Sequence, residues 1–123
     1  MGISYGLNLG LKSAFGRERP LENRLLEEDG FSFPSGNAMV GTTFYLFAAF
    51  LLYQRFQKSW ILWLGVLLPF LLSLSRVYVG VHYPSDILAG FSFGMALCLG
   101  LIVVYKSLNN RGTKIQKNKN TAV

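Results

Sequence analysis

Ser75-Arg76-Val77-Tyr78-Val79-Gly80-Val81-His82-Tyr83-Pro84-Ser85-Asp86 interrupts the most apolar part of the chain. On one side an apolar run reaches back to about Trp60; on the other a second run extends to about Tyr105. Each is close to, or somewhat shorter than, the ~20 residues a helix needs to cross a bilayer. A polar stretch between two such runs reads as a connection at a membrane face, which makes the chain an all-α membrane bundle. The same stretch holds the only histidine of the chain, with Arg76 and Asp86. Asp86 follows His82 by four residues, so one helical turn would let its carboxylate accept a proton from the imidazole. That is the base-plus-orienter arrangement that activates an imidazole. Arg76 precedes His82 by six residues and can return across a loop as an anion ligand. A plain helix–helix connection carrying a few interfacial polar residues accounts for the stretch equally well when it is taken alone.

Working outward, Gln54 to Ser59 is a short basic turn, and before it an apolar helix runs roughly from Ser35 to Tyr53. About three spanning helices result: Ser35 to Tyr53, Trp60 to Ser75, and Pro84 or Ser85 to Tyr105. Pro84 suits a first helical position, and Ser85 or Asp86 can cap the amides there. Gly90-xxx-Gly94, Ser92-xxx-Ala96 and Ala96-xxx-Gly100 set small residues along the last helix, favouring close packing. Trp60 and Trp63 sit beside the basic turn as interfacial aromatics do. Met1 to Leu11 is mildly apolar, too short to span and unlike a signal peptide. Lys12 to Phe33 reads as a polar loop, with a short helical turn around Leu21 to Leu26.

Composition agrees: about half of the 123 residues are apolar, and they come in blocks rather than dispersed by periodicity. Cys98 is the only cysteine and can form no internal disulfide; packing is its default role. The net charge of +6 does not point to nucleic acid, because it is concentrated in a tail without interleaved aromatics. Lys106, Arg111, Lys114, Lys117 and Lys119 follow the last apolar run with no acidic residue. The chain therefore divides into a membrane-embedded part, 1–105, and a basic tail, 106–123. Basic segments flanking membrane helices mark the cytoplasmic side. The Gln54–Ser59 turn and the tail share a face, which is expected to be cytoplasmic.

Two further polar clusters then fall on the opposite, outer face beside His82. One is Lys12-Ser13-Ala14-Phe15-Gly16-Arg17-Glu18-Arg19-Pro20, the other Pro34-Ser35-Gly36-Asn37. Lys12, Arg19 and Arg76 could neutralise an anion such as phosphate, the arginines binding two oxygens at once. Ser35 and Gly36 open a helix, so free amides and the helix dipole could hold the same anion. Taken separately, Lys12 and Arg19 are ordinary snorkelling residues, Gly36 a turn glycine and Ser35 a cap. Arg17, Glu18 and Arg24 read as solvated loop charges, and Tyr78 and Tyr83 as interfacial packing.

With these clusters the sequence resembles the type 2 phosphatidic acid phosphatase family, which shares its active site with the vanadium haloperoxidases. The family pattern is Lys-x6-Arg-Pro, Pro-Ser-Gly-His and Ser-Arg-x5-His-x3-Asp, in that order. The chain matches the first and third in full and departs from the second, with Asn37 where the family has histidine. Family members usually have six membrane helices, with the lysine motif just after the third. The resemblance therefore implies the C-terminal half of such a bundle, a fragment or truncated form. It also implies that His82 is a nucleophile forming a phosphohistidine, that Asp86 orients it, and that Lys12, Arg19, Ser35, Gly36 and Arg76 bind phosphate. No cofactor is implied; one histidine and no paired carboxylate–histidine set give a metal little support.

Asn37 can donate a hydrogen bond but has no proton to give at neutral pH. A lipid alkoxide leaving from a monoester needs that proton, whereas a phosphate leaving from a diphosphate is less basic and does not. The expected activity is therefore a membrane lipid phosphate or diphosphate phosphatase, with a polyprenyl diphosphate as the favoured substrate. The alternative is a weak or inactive relative that binds anionic lipid phosphates, with a transporter segment as a third reading. Expected partners are the lipid substrate and membrane lipids, not nucleic acid, and a homo-oligomer stays open.

Overall fold

The computed structural model describes residues 2–21, 25 and 29–121. All regular structure among them is helical: α1 (Gly2–Phe15), α2 (Gly36–Phe56), α3 (Trp60–Tyr78) and α4 (Pro84–Thr121). The last three are long and apolar enough to cross a membrane, as the sequence predicts. Of the helical turn expected around Leu21 to Leu26, residues 22–24 and 26, Arg24 among them, lie outside the described residues.

α2 and α4 begin where local chemistry says they should. The Ser35 side chain accepts from the Ala38 N–H at 3.4 Å while its own backbone stays extended, a cap on α2. Pro84 opens α4, and the Asp86 carboxylate reaches back to the N–H of Tyr83 at 2.8 Å. That is the reciprocal half of a capping box.

Helix ends depart from expectation. Lys12 lies in the last turn of α1 rather than in a loop, because the chain stays helical to Phe15. Gly16, at φ 55°, then closes the helix by donating its N–H to the Lys12 carbonyl at 3.0 Å. α2 outlasts Tyr53 by three residues and stops where Gln57 turns left-handed and donates to the Tyr53 carbonyl at 2.8 Å. α3 continues through Ser75 to Tyr78 and absorbs Pro69, which is buried near Gly41 of α2. α4 passes Tyr105 without a break: the tail holds no proline to stop it, although Gly112 and four asparagines are weak helix formers. The exposed basic tail 106–121 is thus a continuation of the last membrane helix.

α2 is the central element. It packs along both α3 and α4, which scarcely touch each other, and α1 leans on it. The α2–α4 seam is built on Gly90 and Gly94. A Cβ on Gly90 would lie 2.7 Å from Ala38 Cβ and from the Ser35 carbonyl oxygen. One on Gly94 would lie 2.6 Å from the Met39 carbonyl oxygen, so only glycine permits this approach. The other small residues expected to pack, Ser92, Ala96 and Gly100, are exposed. Leu67, Leu71, Leu72 and Leu74 face outward along α3, as lipid-facing side chains do.

The packing brings two helix starts together: the Ser35 N–H donates to the Asp86 carbonyl at 3.0 Å. At the end of α3, Gly80 takes φ 76° and Val81 donates back to the Arg76 carbonyl at 3.2 Å, turning the chain toward α4. The end of α1, the start of α2 and the loop before α4 therefore share one end of the bundle.

Candidate active site

A cavity of about 710 Å³ opens at that end, lined among others by Asn8, Lys12, Arg19, Gly36, Asn37 and His82. Residues from all three polar clusters thus meet at one surface. Arg76 lies elsewhere: it lines an adjoining cavity of about 520 Å³ with Ser75 and Val79. Gly36, Asn37 and Val40 line both cavities and form their common wall.

His82 is 3% exposed, and its two ring nitrogens face different groups. Nε2 stands 3.5 Å from Arg19 Nη1. Nδ1 stands 3.5 Å from the Ser32 hydroxyl and 3.7 Å from Asp86 Oδ2. The direct imidazole–carboxylate bond expected from the four-residue spacing is therefore not made, 3.7 Å being too long for it. The reason is local: His82 precedes α4 instead of lying within it, and Asp86 turns back to cap the helix.

The Asp86 side chain is fully buried and accepts from three donors. Oδ2 takes the Ser32 hydroxyl and the Tyr83 N–H; Oδ1 takes Arg17 Nη1 at 2.9 Å. Arg17, expected to be a solvated loop charge, also donates to the Ser85 hydroxyl at 2.8 Å. Its guanidinium lies 4.3 Å from the centroid of the Tyr83 ring, so Tyr83 supports it from beneath.

Arg19 is buried and spends three N–H groups on carbonyls. Nε donates to Gly30 at 3.1 Å, Nη2 to Asp29 at 3.3 Å and Nη1 to Val81 at 3.0 Å. A guanidinium has five such donors, and these three are withdrawn from any phosphate. Arg19 thereby clamps the loop after α1 to the His82 loop. Ser35 departs from expectation in one respect: its amide is not free, being bonded to the Asp86 carbonyl. Asn37, by contrast, is exposed on the cavity wall.

Three contributors escaped the sequence reading. Ser32 and Arg17 join the His82–Asp86 network, and buried Asn8 on α1 donates to the Pro34 carbonyl at 3.3 Å. The only local sign of Ser32 is a small hydroxyl set between Phe31 and Phe33. Arg17 offers none beyond sitting two residues before Arg19.

Comparison with known proteins identifies the family. The family model described as the PAP2 superfamily matches residues 1–111. The chain belongs to the PAP2 superfamily. It is 36% identical over 101 residues to phosphatidylglycerophosphatase B of Bacillus subtilis, covering 78% of this chain and 50% of that protein. It is 44% identical over 64 residues to an undecaprenyl-diphosphatase of Sulfolobus acidocaldarius, covering 52% of this chain and 29% of that one. The crystal structure of a transmembrane PAP2-type phosphatidylglycerolphosphate phosphatase from Bacillus subtilis superposes with a TM-score of 0.82 at 32% identity. That match covers 86% of this chain and 55% of the other. This PAP2 chain therefore spans about half the length of the two Bacillus subtilis relatives, and it is a multi-pass membrane bundle.

Proposed function

We propose that this PAP2 chain carries the phosphoryl-transfer centre of a membrane lipid phosphatase, with His82 as nucleophile. The observation that carries the reading is that His82 lines one cavity with Lys12 and Arg19, its Nε2 standing 3.5 Å from Arg19 Nη1. In the first step the Nε2 lone pair attacks phosphorus, a P–N bond forms, and the bond to the leaving oxygen breaks. Water then attacks the phosphohistidine, the P–N bond returns its electron pair to Nε2, and inorganic phosphate departs. Lys12 and Arg19 offset the oxygen charge that develops in both steps. Arg76 reaches the phosphate or its lipid from across the Gly36–Asn37 wall. Fixed cations can fill the charge-neutralising role a metal has elsewhere, so chelators are expected to leave the rate unchanged.

Asn37 sets the substrate preference. Without a proton donor at this position, loss of general-acid help is worth ~10²–10⁴ in rate, borne mainly by substrates with basic leaving groups. A polyprenyl diphosphate, whose leaving group is a phosphate, suits the site better than phosphatidic acid. The undecaprenyl-diphosphatase relative is consistent with that choice. The same asparagine supports a second reading, a weak or inactive relative that holds anionic lipid phosphates in the same cavity. The basic tail 106–121 and the Gln57–Ser59 turn are assigned to the cytoplasmic side, and the cavity to the outer side.

Phosphate release from polyprenyl diphosphate and from phosphatidic acid, measured for the native chain, Asn37→His and His82→Ala, decides between the readings. The catalytic reading expects diphosphate preference in the native chain, a gain on phosphatidic acid in Asn37→His, and no release from His82→Ala. Equal preference in native and Asn37→His forms would remove the leaving-group argument. Lipid-phosphate binding without turnover would favour the second reading.

A further inference from the structure

The Ser32 hydroxyl occupies a position that a merely structural loop residue does not require. It is fully buried, donates to Asp86 Oδ2, and lies 3.5 Å from His82 Nδ1. A hydroxyl has one proton and lone pairs that accept; an ionised carboxylate only accepts. With Asp86 taking the serine proton, what Ser32 presents to the ring is a lone pair. Nδ1 must then carry the imidazole hydrogen, which leaves the lone pair on Nε2, the nitrogen beside Arg19.

From this geometry we infer that Ser32 is a positioning residue: it relays the acceptor character of Asp86 to His82 and so favours hydrogen on Nδ1 and the lone pair on Nε2. The inference rests on the reading of His82 as nucleophile for its catalytic meaning, though not for the state of the ring. Arg17 completes the device by holding Oδ1 at 2.9 Å, so that Oδ2 stays turned toward Ser32 and the Tyr83 N–H. The relay also explains a distance that otherwise looks defective, the 3.7 Å gap between His82 Nδ1 and Asp86 Oδ2. One oxygen atom bridges it.

The competing account is that Ser32 only satisfies a helix-capping carboxylate and has no bearing on the ring. His82 is the only histidine of the chain, so ring nitrogens labelled with ¹⁵N in nanodisc-embedded protein report one residue without assignment. The native chain is expected to show hydrogen on Nδ1. In Ser32→Ala the carboxylate lies beyond hydrogen-bond range of Nδ1, so the tautomer with hydrogen on Nε2 should gain population although Arg19 Nη1, 3.5 Å from Nε2, still favours a lone pair there; Ser32→Thr, which keeps a hydroxyl, should restore the native pattern. In turnover assays Ser32→Ala should lower kcat with little change in KM, by up to the ~10⁴-fold that a wrong tautomer costs in a comparable histidine–acid pair. Hydrogen on Nε2 in the native chain would overturn the inference without any variant being needed. So would an unchanged tautomer in Ser32→Ala. A Ser32-dependent tautomer in a chain that releases no phosphate would instead uphold the relay and remove the phosphatase reading.

Discussion

Replacing Gly94 by alanine would set a methyl group 2.6 Å from the Met39 carbonyl oxygen and 2.9 Å from Thr42 Cβ. Ordinary contact begins at 3.4 Å, so α2 and α4 would have to part by about 0.8 Å to admit it. The nearer obstacle is backbone inside a helix and cannot swing aside, which places the change among overpacking substitutions costing ~1–3 kcal/mol. Alanine also gains up to ~1 kcal/mol over glycine in helix propensity, and that gain must be separated from the clash. Gly100→Ala on the same helix supplies the control, because its added methyl meets nothing within 4 Å. Unfolding of both variants in one detergent should show Gly94→Ala the weaker by ~1–3 kcal/mol. The same displacement would stretch the 3.0 Å bond from the Ser35 N–H to the Asp86 carbonyl, so turnover should fall along with stability. Equal stability of the two variants would refute the seam as described.

Further expectations concern single groups. Arg17→Ala removes one of three donors to a buried carboxylate and should cost ~1–3 kcal/mol in denaturant unfolding, with Arg17→Lys recovering part of it. Asn8→Ala, which frees the Pro34 carbonyl from its 3.3 Å bond, should loosen α1 from the loop before α2 and lower stability by ~1–3 kcal/mol. The Ser73 hydroxyl is buried with no hydrogen-bond partner among the described residues, so Ser73→Ala should leave the unfolding midpoint unchanged or raise it. Single cysteines at Ser85 and at Lys58, introduced into Cys98→Ala, should be labelled by impermeant reagent from opposite sides of the membrane. Labelling of both from one side would overturn the assigned topology.

Features set by neighbouring residues were legible in the sequence; features set by distant pairing were not. Ser35 and Pro84 mark helix starts because a cap and a first-turn proline act within a few residues. The end of α2 was misjudged because Gln57 adopts a left-handed conformation without the glycine that usually signals it. The spacing of Lys12, Arg19, Asn37 and His82 was enough to gather them at one end of a bundle. It could not place Arg76 in the neighbouring cavity, which depends on how far α3 continues past Ser75. Ser32 and Arg17 meet Asp86 across 54 and 69 residues, and no local pattern anticipates such contacts.

The bond that joins the start of α2 to the start of α4 has an electrostatic corollary. Both helices aim their amino ends at the same rim, and each such end behaves as roughly half a positive charge. The rim therefore holds a standing attraction for anions built from peptide groups alone, before any lysine or arginine is counted. Stripping away the basic side chains should weaken that pull in steps rather than abolish it at a stroke.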